Sequence, residues 1–408
     1  MRVRTVTQEP IDFIPQASND WCQLFLVTVI TPIYGGGVEA GCFDADMPIR
    51  AASIRGQLRF WWRLLQKHKS SEAPLSDKQL FQRERDLWGG MNEKDQDYSS
   101  KIKVRVANVK NKHEGSDINP SSYALFPLRE TGSEKTDNRT GDKFPLIREG
   151  IQFDLTIQCP VEYKEAVWEA LRWWASFGGI GARTRRGLGA LEISVKQGEE
   201  TDLMLPVTSE EASEYSCKLA MGKTGQKDAV AAWKSAIEKL QHFRSGEKIA
   251  PSSWSESHAI RGITKRDSKR HSPKPEMLHY FPRAALGLPI IFEFKDSQDP
   301  QKTELTPKDY DRLASPVIVK AMYIEKNSYR PIALRLPVAH LQSLDLVLTD
   351  ISTDEKASLK TLARSGDNGW WPSPEQLQKI AKKYPDFPIT ANNGEDAISA
   401  FLNYFRKK

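Results

Sequence analysis

Residues 177–189 read Phe-Gly-Gly-Ile-Gly-Ala-Arg-Thr-Arg-Arg-Gly-Leu-Gly. Five glycines, Gly178, Gly179, Gly181, Gly187 and Gly189, flank the run Arg183, Thr184, Arg185 and Arg186. Glycine tolerates positive φ and lets backbone N–H groups come close to an anion. Arginine adds charge-assisted, two-pronged contacts to phosphate oxygens. No acid lies between Glu169 and Glu192 to oppose them. The expected chemistry is therefore contact with a phosphate chain. A mononucleotide loop is disfavoured, because such loops follow a strand and open a helix, whereas this one follows a helical pattern and enters a strand pattern. GxxxxGK and GxGxxG are also missing. The competing reading is a turn that only packs helix on strand, which does not by itself call for three arginines.

A second basic segment covers residues 49–63. Arg55, Arg59 and Arg63 stand four apart and make one stripe of a helix, with Arg50 just ahead of it and Ser53 as the expected cap. From residue 47 to 71 there is no Asp or Glu. A solvated cationic face is the ordinary meaning of such a stripe. The missing acids and the choice of arginine, which forks onto phosphates and stacks on bases, favour nucleic acid. Gly56 costs a helix interior about 1 kcal/mol and predicts close approach of another backbone. Trp61 and Trp62 fall on the apolar stripe with Ile54, Leu58 and Leu65, so core is expected there rather than a stacking platform. Gly35, Gly36 and Gly37 form a third glycine cluster, read either as a flexible turn or as a backbone surface against phosphate.

These segments need elements to hold them. Residues 24–30 predict a strand, 53–67 a helix, 101–109 and 151–158 strands, 161–176 a helix and 191–195 a strand. That order is the βαββαβ unit of ferredoxin-like folds. Residues 198–209 read as a linker, 229–242 as a helix and 245–274 as a polar, basic loop. Strands are expected at 286–294, 316–324 and 331–336, and helices at 374–383 and 395–405. The expectation is an α+β chain of two ferredoxin-like, RRM-type domains, 1–200 and 201–408, with long inserted loops, among them 111–143.

The chain has 408 residues and a net charge of +6. No apolar run is long enough for a membrane span, and no apolar stretch follows the basic N-terminus to make a secretory signal. The four cysteines, Cys22, Cys42, Cys159 and Cys217, form no CxxC pair. No metal site, cofactor motif or disulfide framework is expected, and a cytoplasmic protein with reduced thiols is. The seven histidines make no HxxxH, HExxH or HD pattern, and no GxSxG or SxxK stands out. Asp44 and Asp46 precede the arginine helix. Loop acids balancing nearby arginines is the favoured reading over orientation of a 2′-hydroxyl or a metal.

Several of these motifs also carry a family resemblance. Residues 31–37 (Thr-Pro-Ile-Tyr-Gly-Gly-Gly), 48–50 (Pro-Ile-Arg) and 53–63 (Ser-Ile-Arg-Gly-Gln-Leu-Arg-Phe-Trp-Trp-Arg) resemble the N-terminal signature of the first subunits of Cmr, the type III-B CRISPR effector complex. Residues 177–189 resemble the glycine-rich loop of the wider RAMP superfamily. Residues 283–290 and 312–320 resemble second-domain signatures of the same subunits. The resemblance implies a non-catalytic subunit of an antiviral ribonucleoprotein, partnered by guide CRISPR RNA, target RNA and other Cmr subunits. It implies a place near the 3′ part of the guide, with cleavage assigned to another subunit. Residues 111–143, 245–274 and those beyond 337 depart from it.

RNA binding without catalysis is thus the leading expectation, with Glu replacements of Arg55, Arg59, Arg185 and Arg186 weakening RNA binding without unfolding. The alternative is a metal-independent guide-processing ribonuclease, in which His68, at the end of the first helix, would serve as acid or base. A third reading is a scaffold whose basic surface meets acidic proteins.

Overall fold

The computed structural model describes residues 20–37, 42–44, 46–69, 75–90, 98–111, 122–125, 146–197, 204–246, 253–268, 272–337, 341, 344–352, 357–362 and 369–407. The first half contains β1 (Asp20–Val29), α1 (Ala51–His68), α2 (Asp77–Trp88), β2 (Lys103–Lys110), β3 (Gln152–Pro160), α3 (Lys164–Phe177) and β4 (Leu191–Gln197). β1 alternates half-buried and buried residues along its whole length, as a strand with one covered face must. The sheet runs β2-β3-β1-β4 with every neighbouring pair antiparallel. That is the ferredoxin-like order, with α1 and α3 as its two crossovers. α2 was not anticipated. Its Ser76 and Gln79 form a capping box, a local signal that was present in the sequence.

α1 and α3 pack through aromatic rings. Trp61 lies 5.9 Å from Trp173 and 6.0 Å from Phe177, and Trp173 lies 5.2 Å from Phe177. Such pairs contribute about 0.5–1.5 kcal/mol each beyond simple burial. The expected stripe of Ile54, Leu58, Trp61, Trp62 and Leu65 is buried throughout. Ser53 does not cap α1. The helix begins at Ala51, Arg50 holds the cap position without a side-chain bond, and Ser53 is exposed.

The second half contains β5 (Lys218–Met221), α4 (Ala229–Ser245), α5 (Glu256–Thr264), β6 (Ile290–Phe292), β7 (Thr303–Pro307), β8 (Val317–Glu325), β9 (Ser328–Arg335), β10 (Leu346–Asp350), β11 (Ala357–Leu362), α6 (Pro374–Lys383) and α7 (Ala397–Lys407). β5, α4, β8, β9 and α7 repeat the ferredoxin-like order through five elements, with strands ordered β8-β9-β5. Among the described residues no fourth strand joins this sheet. The intervening segments build a second antiparallel sheet, β11-β10-β7-β6.

The β8-β9-β5 sheet is covered on both faces. Ile318, Met322, Ile332, Leu334 and Leu219 share a core with the first half, while Val319, Ala321, Ala333 and Ala220 pack with α4 and α7. Strand alternation produces this division, and it joins the two halves through continuous apolar packing.

Two segments expected to be irregular are partly regular. Residues 245–274 include α5, whose Ala259 and Ile260 are buried. Arg261, expected in a mobile basic loop, is 8% exposed and donates twice to Asp299, at 2.8 and 2.7 Å. The helix Ser209–Glu214 lies in and beyond the expected linker, where Met204 and Val207 are already buried. Residues 286–294 contain only the short strand β6, after a 3-10 turn over Pro282–Leu286. Most of the long segment 111–143 lies outside the described residues.

Candidate nucleic-acid interface

The two basic segments meet along α1. Its arginines do have a counter-ion, supplied from α2. Glu84 is 2% exposed, and its two carboxylate oxygens accept from Arg59 Nε and Arg63 NH1. Arg55 donates to the carbonyl of Trp88 at the end of α2. Two guanidiniums thus share one carboxylate and the third is held by a backbone carbonyl, so the face stays cationic while its heads are held in place. Arg59 and Arg63 keep 39% and 43% of their side-chain surface in solvent. Arg55 has no acid against it among the described residues, and burial together with the neighbouring Arg59 pushes its guanidinium below the ordinary value. The acid-free run at 47–71 gave no warning of Glu84, because the partner sits on another helix.

Two hollows lie on this helix. One, of about 510 Å³, is lined by Arg55, Gly56, Arg59, Gly89, Gly90 and Tyr98. Gly56 was expected to accommodate another backbone. Instead, no described residue comes within 4 Å of the position its Cβ would take. The other hollow, of about 340 Å³, lies between the halves of the chain. Arg63, Lys67 and His68 of α1 face Arg185 across it, with Phe60 and Leu313 among its apolar lining. Burial and Lys67 lower the His68 pKa. Phe60 is 40% exposed, whereas Trp61 and Trp62 are core, as their stripe predicted. Phe60 was missed because it falls off the stripe of Ile54, Leu58, Trp61, Trp62 and Leu65, and one apolar residue out of that period carries no signal.

The glycine-rich segment is a turn that does close-pack protein. A Cβ on Gly178 would strike Trp174, one on Gly179 the carbonyls of Leu188 and Gly189, one on Gly181 Ile33 and the Tyr34 carbonyl, and one on Gly189 Ile180. Gly187, at φ +79°, leaves no room against Trp233 and the Lys320 backbone. The close approach read from the sequence is real, but the neighbours found here are protein. Gly36 lies against Gly181, Ala182 N donates to Tyr34 O at 2.7 Å, and Gly37 is pinned by Cys42 O at 2.8 Å. Gly35 shares this turn at φ +59°.

The arginines of the segment diverge. Arg185 NH1 donates to Ser315 O at 2.6 Å and so helps join the two halves, a packing role that had been discounted. Arg186 runs inward. Burial, with Arg244 and Arg183 nearby, pushes its guanidinium down to about 10, and its carbonyl accepts from Trp233 Nε1 at 2.7 Å. Arg183 takes the left-handed conformation at the head of the Thr184–Arg186 turn, near Tyr34 and Arg312. Arg50 pairs with Asp44 at 3.0 Å, and Asp44 also accepts from Met47 N at 2.9 Å, which is the balancing role expected of it. Beneath the turn, Lys320 of β8 is fully buried and donates from Nζ to Gly178 O at 2.7 Å, where the last carbonyls of α3 attract a cation. Burial pushes its amine down to about 7.

Arg55, Arg59, Arg63 and Arg185 therefore lie on one track along α1, and Arg50, Arg183 and Arg186 lie off it. Among the described residues no group of three or more His, Cys, Asp or Glu could hold a metal. No helix among them is long and apolar enough to cross a membrane.

The first half is thus a ferredoxin-like sheet with a glycine-rich turn between α3 and β4, as the resemblance implied. Residues 26–192 match the family model of the RAMP superfamily. A solved structure similar to the chain is that of Cmr1 from Pyrococcus furiosus in its apo form. It is 15% identical, with a TM-score of 0.44 over 90% of this chain and 97% of that one. No curated protein sequence matches the chain.

Proposed function

We propose that the protein is an RNA-binding, non-catalytic subunit of a type III-B CRISPR (Cmr) complex, acting in the cytoplasm on guide and target RNA. The observation that carries the RNA-binding part is the track of Arg55, Arg59, Arg63 and Arg185, in which Glu84 orients the cations without cancelling them. Half-exposed guanidiniums in excess over acids suit a phosphate chain, and the exposed ring of Phe60 beside them suits a base. The signatures at 31–63, 283–290 and 312–320, with the RAMP match, support membership of the Cmr assembly and other Cmr subunits as partners.

The test is a filter-binding titration of single-stranded RNA over a salt series. Arg55→Gln with Arg59→Gln removes two phosphate contacts and leaves Arg63 on Glu84. Affinity is expected to fall, and the slope of log K against log salt to flatten by about 1.4, at about 0.7 per phosphate. Unchanged affinity and slope would refute the interface. Arg186→Glu, expected from sequence to be harmless to the fold, is now expected to damage it, since that side chain is half-buried and largely desolvated beside Arg244 and Arg183.

A ribonuclease reading has one observation in its favour. His68 and Arg185 of the glycine-rich turn line the same hollow. Cleavage of repeat RNA by the purified chain, lost in His68→Ala, would support it.

A further inference from the structure

Gly56 stands inside α1, where a glycine weakens the helix and any other small residue would serve better. Nothing in the described structure explains it. Every glycine of the 177–189 segment meets a protein atom at the place of its missing Cβ, whereas Gly56 meets none and opens onto a hollow of about 510 Å³. That volume lies within the usual range for small-ligand sites, about 300–1,000 Å³. Arg55 and Arg59 flank the glycine, no acid lines the hollow among the described residues, and Gly89 and Gly90 lie on its other side. Each arginine spends few of its five N–H donors within the protein: Arg55 NH2 on Trp88 O and Arg59 Nε on Glu84. They stand one helical turn apart, about 5–6 Å between Cβ atoms, a spacing that suits neighbouring phosphates of one strand.

We infer that the sugar-phosphate backbone of a single-stranded RNA crosses α1 at Gly56, one phosphate on Arg55 and the next on Arg59, with the glycine giving the ribose direct contact with the helix backbone. This rests on the RNA-binding reading above and assigns it a contact point. Gly56 is then a positioning residue whose role is the absence of a side chain. The site reads the sugar-phosphate chain and not the base, so the strand's sequence is immaterial here.

The test compares wild-type protein, Gly56→Ala and Gly56→Leu in binding a homopolymeric RNA such as oligo(U) at fixed salt, with the thermal midpoint of each measured alongside. Gly56→Ala is expected to keep or raise the midpoint, because alanine favours the helix, and yet to bind RNA several-fold more weakly. Gly56→Leu should lose tenfold or more, with the salt dependence kept, since both arginines remain. Wild-type affinity in both folded variants would overturn the inference. So would a lower midpoint in Gly56→Ala, which would mean that the chain itself already fills the space. If the wild-type protein fails to bind RNA at all, the RNA-binding reading fails first.

Discussion

Glu84 is the residue on which the basic track depends, and its replacement makes a sharp test. The carboxylate is 2% exposed and touches both Arg59 and Arg63, whose side chains are about two-fifths exposed. Removing one member of a buried pair usually costs about 3–5 kcal/mol. Here the cations can turn out into water when the acid is lost, so Glu84→Gln is expected to cost less, about 2 kcal/mol. With unfolding entropy of about 2 cal/mol/K per residue, a 408-residue chain unfolding as one unit loses about 2 °C of thermal midpoint. The reverse deletion is worse. Arg59→Met with Arg63→Met leaves a buried carboxylate without a described cation, and should cost more than Glu84→Gln. Adding Glu84→Gln to that double variant should then recover stability. Thermal unfolding of the four proteins closes the cycle, and coupling of about 1–3 kcal/mol is expected. Purely additive losses, or no recovery in the triple variant, would show that Glu84 neither holds nor needs the two arginines.

Two further expectations follow from buried groups. Lys320 titrates near 7 when folded and near 10.5 when unfolded, so between these values the unfolded chain binds more protons and stability rises with pH. Chemical denaturation at pH 7 and pH 9 should show this rise as a difference between wild type and Lys320→Met, which lacks the group; parallel pH profiles would remove Lys320 from the account. Burial pushes the thiols of Cys159 and Cys217 up to about 12, while Cys42 is exposed. A thiol reagent at pH 8 should therefore label Cys42 in the native protein and reach Cys159 and Cys217 only after denaturant is added, as mass spectrometry of the labelled peptides would show. Native labelling of Cys217 would contradict the packing of β5 against the first half.

Local pattern carried a good deal of this protein. The period of Ile54, Leu58, Trp61, Trp62 and Leu65 determined α1 and its buried face, because residues three and four apart must share a side of a helix. The order of six segments determined the first ferredoxin-like sheet, since a βαββαβ chain with right-handed crossovers has few other ways to close. Helix 374–383 was legible to the residue, because Ser373 and Pro374 announce its start.

Partners far apart in sequence were not legible. Glu84 balances Arg59 and Arg63 across 25 and 21 residues, Asp299 holds Arg261 across 38, and Ser315 takes Arg185 across 130. Composition recorded their charges and no pattern paired them. The glycine-rich segment shows the division most clearly. Its residue types determined that something must approach the backbone closely. Only the tertiary structure decided that Trp174, Ile33, Trp233 and Lys320 are among what does so, while Gly56, on the other basic segment, has open space before it among the described residues. Close approach is a property of three-dimensional neighbours, and a glycine in a sequence states the room left without naming what takes it.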